Sequence, residues 1–160
     1  MTGWIKEAFD SQEAQRILQK LLERVQVFTG LTPNELALLL ENAEKFSFSA
    51  GNTILTEGSD GNFLYVILTG SVQVSSSAHG GELAEIAKLG PADCFGEMSL
   101  TDHDGRSANV KAITACTLLR IHERDCWKSP AISAKVFRNI ARILSHRLRE
   151  MNQAVIWRMD

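Results

Sequence analysis

The sequence predicts a mainly β domain, a sandwich or small barrel, flanked by helices at both ends. Two observations carry this prediction. Between about residues 46 and 123, apolar residues fall in short runs such as Phe46/Phe48, Val72/Val74, Leu83/Ile86 and Leu118/Leu119/Ile121. Their spacing is largely the period of two expected of strands with one buried face. Glycines punctuate these runs at Gly51, Gly58, Gly61, Gly70, Gly80-Gly81, Gly90 and Gly105, and many short strands with glycine-rich turns suit a double-sheet or barrel architecture. On either side the apolar spacing changes to three and four.

Residues 1–45 read as helical. Ile5, Ala8, Ile17, Leu18, Leu21, Leu22 and Val25 form an apolar stripe. A second helix starts at Leu31-Thr32-Pro33-Asn34-Glu35. Thr32 suits the N-cap, Pro33 the first helical position, and Glu35 closes a capping box. Leu36, Leu39, Leu40 and Ala43 supply its buried face. Within 46–123, His79-Gly80-Gly81 predicts a hairpin turn, and Gly70 separates Phe63–Thr69 from Ser71–Ala78. After Pro130, Val136, Ile140, Leu144, Leu148, Met151 and Val155 recur at three or four, widened by Phe137, Ala141 and Ile143. Arg147 stands where a strict heptad seam wants an apolar residue. The pattern therefore fits a helix from after Pro130 to near the C-terminus that divides its face between packing on its own chain and a dimer contact.

Composition narrows the function classes. At 160 residues, with 44 % hydrophobic and 22 % charged, the chain has the make-up of one globular domain. Its longest apolar stretches, such as Phe63–Leu68, fall far short of the roughly 20 residues a bilayer span needs. No apolar h-region follows Lys6, so a cytoplasmic location is expected. Cys94, Cys116 and Cys126 lack metal-ligand spacing and read as free, buried thiols. Residues 131–160 hold 6 Lys/Arg against 2 Asp/Glu, whereas 31–130 hold 7 against 13. The basic residues punctuate an amphipathic helix and form its solvated face, so no DNA partner is expected. His79, His103, His122 and His146 include no H-x-H pair for a catalytic metal, and no ordered nucleophile and base argue for an enzyme.

The chemistry concentrates in PADCFGEMSLTDHDGRSANVKAI, residues 91–113. Phe95-Gly96-Glu97 leaves a strand, and Gly96 permits close backbone approach. Residues 97–101 are long enough for one helical turn whose N–H groups converge on an anion. Arg106 offers rigid charge-assisted donors to a phosphate, and Ser107 a neutral hydroxyl. Glu97 is suited to a sugar hydroxyl. One acid for a ribose and one arginine for a phosphate describe a nucleotide; a bare Arg106–Glu97 salt bridge decorating a turn is the plainer alternative.

FGEMSL followed by GRSANVKA resembles the phosphate-binding cassette of cyclic nucleotide-binding domains, the family of the bacterial catabolite activator protein, the regulatory subunits of cyclic AMP-dependent kinase and cyclic nucleotide-gated channels. LLERVQVFTGL, GNTILTEGSDGNFLYVILTGSVQV and a long helix behind the cassette follow in the family's order, so the resemblance covers about residues 20–150. It implies an eight-stranded antiparallel jelly-roll-like β-roll over 46–123, with the cassette at 95–108, N-terminal helices over 1–45, and a hinge and lid or dimer helix over 124–156. It implies that Glu97 binds the ribose 2′-hydroxyl, Arg106 the cyclic phosphate and Ser107 the phosphate or base. Gly96, Met98 and Ser99 match the short helix and its donors. Phe95, Ala108, Val74, Leu83, Leu100 and Val110 are candidate walls.

The implied ligand is cyclic AMP rather than cyclic GMP, since Ser107 is shorter than the threonine frequent in members selective for GMP. No metal or other cofactor is implied. The implied signal is movement of the C-terminal helix about Trp127–Pro130, with Trp157, Met159 or Met151 capping the purine and a homodimer formed through that helix. Ending at Asp160, the sequence leaves no room for a helix-turn-helix and shows no membrane span. A stand-alone sensor acting on a separate effector protein, or a fragment of a longer chain, is expected. The alternative is a degenerate module of the same fold that binds no nucleotide and serves as a dimerising scaffold.

Overall fold

The computed structural model describes residues 12–77, 83–101 and 104–156. Helix α1 (Gln12–Arg24) leads through a 3-10 turn, Gln26–Phe28, into α2 (Pro33–Leu39). Ile5 and Ala8 of the expected stripe lie outside the described residues. The capping box is present at α2. Thr32 Oγ1 accepts from the Glu35 N–H at 3.2 Å, and Glu35 Oε2 accepts from the Thr32 N–H at 2.8 Å. Leu36, Leu39, Leu40 and Ala43 are all buried.

Eight strands follow: β1 (Glu44–Phe48), β2 (Thr53–Leu55), β3 (Phe63–Thr69), β4 (Val72–Ser77), β5 (Leu83–Leu89), β6 (Cys94–Phe95), β7 (Asn109–Ala112) and β8 (Cys116–His122). They form two separate four-stranded antiparallel sheets, ordered β1-β8-β3-β6 and β2-β7-β4-β5. This corrects the expected eight-stranded jelly-roll-like β-roll, because neither sheet is closed or curled and no ladder joins one to the other among the described residues. The edges explain it. β6 has two residues and β2 three, and β2 pairs with β7 through a register shift. Edges that short offer too few ladder positions to carry pairing across to the other sheet.

The first sheet is covered on both faces. Leu64, Val66, Leu119 and Ile121 pack on the helices, while Tyr65, Ile67 and Leu118 pack with Val72, Val110 and Ala112 of the second sheet. That is why β3 reads as a continuous apolar run rather than an alternation. The His79-Gly80-Gly81 turn lies outside the described residues, although β4 and β5 on either side pair antiparallel.

Helix α3 (Glu123–Cys126) leads into α4 (Pro130–Ile156). Ile132, Val136, Ile140 and Ile143 of α4 are buried, whereas Leu148 and Met151 are exposed. The side chain of Asn139, buried on α4, donates to the carbonyls of Val27 at 3.0 Å and Thr29 at 2.8 Å, which fastens the first third of α4 to the 3-10 turn and the residue after it. Lys135 pairs with Glu35 at 2.7 Å and ties α4 to α2.

Two carboxylates give the fold an acid limit. The hydrogen bond from Lys135, with that of the Thr32 backbone, holds Glu35 below the ordinary 4.5. Hydrogen bonds from the Ser77 backbone and the Ser76 hydroxyl do the same for Glu57. A lowered folded pKa contributes stability that is complete above the unfolded value and is lost as pH falls through the folded one. The thermal midpoint is therefore expected to fall on acidification from about pH 5 to about pH 3. A Glu35→Gln/Glu57→Gln double variant should show a shallower fall. An identical slope in wild type and variant would remove these two groups from the account.

Candidate functional site: the cassette between β6 and β7

β6 ends at Phe95, and the next residue, Gly96, turns the chain with a φ of +78°, a conformation that L side chains rarely adopt. The turn feeds a 3-10 segment, Met98–Leu100, and brings the Gly96 carbonyl round to Arg106. Arg106 is only 5 % exposed. Its Nη1 donates to the carbonyls of Phe63 at 3.1 Å and Gly96 at 3.0 Å, and to Ser99 Oγ at 2.8 Å. Ser99 in turn donates to the Gly96 carbonyl at 3.0 Å. Every acceptor in this cage is neutral. The Arg106 Nε is buried without a hydrogen-bond partner. Desolvation pushes the pKa of Arg106 down, against the opposing fields of Tyr65 and Glu97, yet a guanidinium stays charged.

The loop between β2 and β3 closes the cage from behind. Gly58 N–H donates to the Arg106 carbonyl at 2.7 Å, and Arg106 N–H to the Ser59 carbonyl at 2.8 Å. Gly61 lies so close that a Cβ there would stand 2.0 Å from Arg106 Nε. A cavity of about 580 Å³ opens on this side, lined by Thr56, Asp60, Phe63, Tyr65, Arg106 and Arg120 among others. Glu97 and Ser107 do not line it, so Arg106 stands between this cavity and the cassette's own residues.

Glu97 is 4 % exposed and does not pair with Arg106. Its Oε1 accepts from Arg147 Nη1 at 2.6 Å, and Arg147 Nη2 donates to the Cys94 carbonyl. The plain Arg106–Glu97 salt bridge is thus replaced by a bond from the cassette to α4. Arg147 was missed as a site residue, although its interruption of the apolar stripe was the signal. Gly61 gave no signal beyond being one glycine among many.

The other expected residues divide. Ser99 joins the Arg106 cage, and Ser107, exposed, donates its hydroxyl to Met98 Sδ at 3.3 Å. Ala108 is half-buried at the entry to β7. Phe95, Leu100 and Val110 are core, and Phe95 stacks on Tyr65 with centroids 5.1 Å apart. Val74 is half-buried against the same inter-sheet core. Leu83 is 66 % exposed and pairs with Ser77 at the far end of β4–β5, so the structure does not bring it to Arg106. His79, His103, Trp157 and Met159 lie outside the described residues. His122 caps α3 and His146 pairs with Glu150 on α4.

The family model described as "Cyclic nucleotide-binding domain" matches residues 45–128, over half of the chain. The chain belongs to the cyclic nucleotide-binding domain family. This domain is 35 % identical over 124 residues to the "Cyclic AMP receptor protein" of Thermus thermophilus, covering 78 % of this chain and 57 % of that protein. It is 30 % identical over 136 residues to a "CRP-like cAMP-activated global transcriptional regulator" of Mycobacterium tuberculosis, covering 84 % and 60 %. The chain thus spans about 60 % of the length of these relatives. A crystal structure of a cyclic nucleotide-binding domain from Methylobacillus flagellatus superposes with a TM-score of 0.80 at 25 % identity, covering 91 % of this chain and 85 % of that one. Domains of this family are regulatory binding modules, not catalysts. No helix among the described residues is long and apolar enough to cross a membrane.

Proposed function

We propose that the chain senses a 3′,5′-cyclic nucleotide, cyclic AMP in preference to cyclic GMP, within one cyclic nucleotide-binding domain over 1–45, 46–123 and 124–156, and that it works in the cytoplasm through a separate effector protein. One observation carries this reading: Arg106 is buried among neutral acceptors with no anionic partner among the described residues. A desolvated charge without a counter-charge is costly, and a cyclic phosphate supplies the missing negative charge with acceptors that suit a guanidinium. Ser107 turns its hydroxyl from a sulfur to a phosphate oxygen. Glu97 accepts from the ribose 2′-hydroxyl.

Because Arg147 holds Glu97 to α4, ribose engagement and the position of α4 draw on one ion pair. Binding at Glu97 therefore biases the helix, which is the differential contact a switch requires. Leu148 and Met151, exposed on α4, are the residues for a homodimer contact. A non-binding scaffold is the second reading, and the observation in its favour is that Glu97 already has a partner in Arg147.

Calorimetric titration with cyclic AMP and cyclic GMP separates the two. Saturable heat with cyclic AMP at a lower concentration than with cyclic GMP is expected. No heat from either at millimolar concentration leaves the scaffold. Gly61→Val tests the geometry, because the added side chain must displace the flexible guanidinium rather than the backbone. Cyclic AMP affinity is expected to fall about tenfold or more with the far-UV circular dichroism unchanged. Unaltered affinity would mean that Arg106 does not hold the phosphate from this cage.

A further inference from the structure

Oxidisable sulfur in the cassette comes down to one side chain. The three cysteines are buried, and burial pushes the Cys94 and Cys126 thiols up to about 12, so neither offers a thiolate to an oxidant. Met98 differs. Its neighbours Ser99 and Leu100 are 3 % and 2 % exposed, while Met98 is 41 % exposed. The Met98 side chain is therefore presented at the lip of the cassette. It is also engaged, because the Ser107 hydroxyl donates to Sδ at 3.3 Å, and Ser107 directly follows Arg106. A thioether is a weak acceptor. An ionised phosphate oxygen is a far stronger one, so the reduced cassette yields this hydroxyl to a ligand readily.

We propose that Met98 is a reversible oxidation site that gates the nucleotide site, with hydrogen peroxide as the oxidant. The sulfur lone pair attacks one peroxide oxygen, the O–O bond breaks and an S–O bond forms. The departing hydroxide leaves as water with the proton of the transferred oxygen. Sulfur loses two electrons and the peroxide gains them. The sulfoxide that results is polar and carries a strong acceptor oxygen, placed on the side chain that Ser107 already addresses. The hydroxyl then stays with residue 98, and the phosphate loses one donor beside Arg106. Sulfoxide reductases restore the thioether, so the change is reversible. This inference rests on the cyclic nucleotide reading above.

The test is a cyclic AMP titration of the full chain before and after peroxide, with peptide mass spectrometry locating each added oxygen. Of the other methionines (Met1, Met151 and Met159), Met151 is also exposed, so Met151→Leu serves as the control. The Kd is expected to rise about tenfold or more on oxidation, in wild type and, whatever its starting affinity, in Met151→Leu, and to return after treatment with methionine sulfoxide reductases. In Met98→Leu, whatever its starting affinity, the Kd should be the same before and after peroxide. Complete oxidation of Met98 with no change in Kd overturns the gate. So does a Met98 that stays reduced while Met151 is converted. Absence of binding by the untreated protein overturns the cyclic nucleotide reading itself, and the gate with it.

Discussion

Arg106→Ala is expected to abolish saturable cyclic AMP binding while the domain stays folded. The wild-type guanidinium is held by three neutral acceptors at 2.8–3.1 Å and forms no ion pair among the described residues, so under the proposed reading its charge is available to a ligand phosphate. Hydrogen bonds to charged groups contribute about 1.5–3 kcal/mol each, and a phosphate that accepts more than one loses at least about a hundredfold in affinity without them. Stability should move less. The variant removes a desolvated charge as well as its hydrogen bonds, and these effects oppose each other. Arg106→Lys keeps the charge but not the fork, and should also bind poorly. Titration calorimetry beside thermal melts reads both quantities. Wild-type affinity in Arg106→Ala would place the anion elsewhere.

The second large effect is expected from Arg147→Ala. The variant leaves Glu97, almost fully buried, without its 2.6 Å partner. Breaking a buried pair from one side costs about 3–5 kcal/mol. Arg147 itself is about a quarter exposed, which lowers this to about 1–3 kcal/mol, or a thermal midpoint lower by about 3–10 °C in a chain of this size. Nucleotide binding should persist, since Arg106 and Glu97 both remain. What should disappear is the coupling. With spin labels at the exposed positions Ser145 and Lys88, cyclic AMP is expected to change the distance in wild type and not in Arg147→Ala. A ligand-dependent shift of equal size in both proteins would assign the coupling to another contact. Glu97→Gln, which keeps the shape and removes the charge, should reproduce the loss of coupling with a smaller change in stability.

Local features were legible in the sequence, because the interactions that fix them span a few residues. The capping box at Thr32 and Glu35 is an i, i+3 exchange, and the doubly buried β3 shows in its unbroken apolar run. Sheet partition was not legible. Whether eight strands close depends on edge strands pairing across long separations, and the brevity of β2 and β6 has no mark in a period-two pattern. The cassette divided in the same way. Gly96, Ser99 and Arg106 lie within eleven residues and are joined by hydrogen bonds, whereas the sequence pointed to Gly96 and Ser99 only as parts of the short helix and its donors. Leu83 matched a strand's apolar alternation, but alternation assigns a face and not a distance along the strand. Arg147 reaches Glu97 across 50 residues. Only its misfit in the helix stripe hinted at a polar partner.

The Asn139 fastening gives α4 the mechanics of a lever. Asn139 is bound to the carbonyls of Val27 and Thr29, so the helix has a fixed point about a third of the way along its length. Arg147 lies eight residues further on and Ile156 seventeen, about 12 Å and about 26 Å along a helix rising 1.5 Å per residue. A rigid rod pivoting at Asn139 therefore magnifies motion at Arg147 about twofold at its far end. Under the helix movement proposed above, a displacement of the size of a broken ion pair at Arg147 would be about doubled at Ile156, the end of α4 offered to a partner protein.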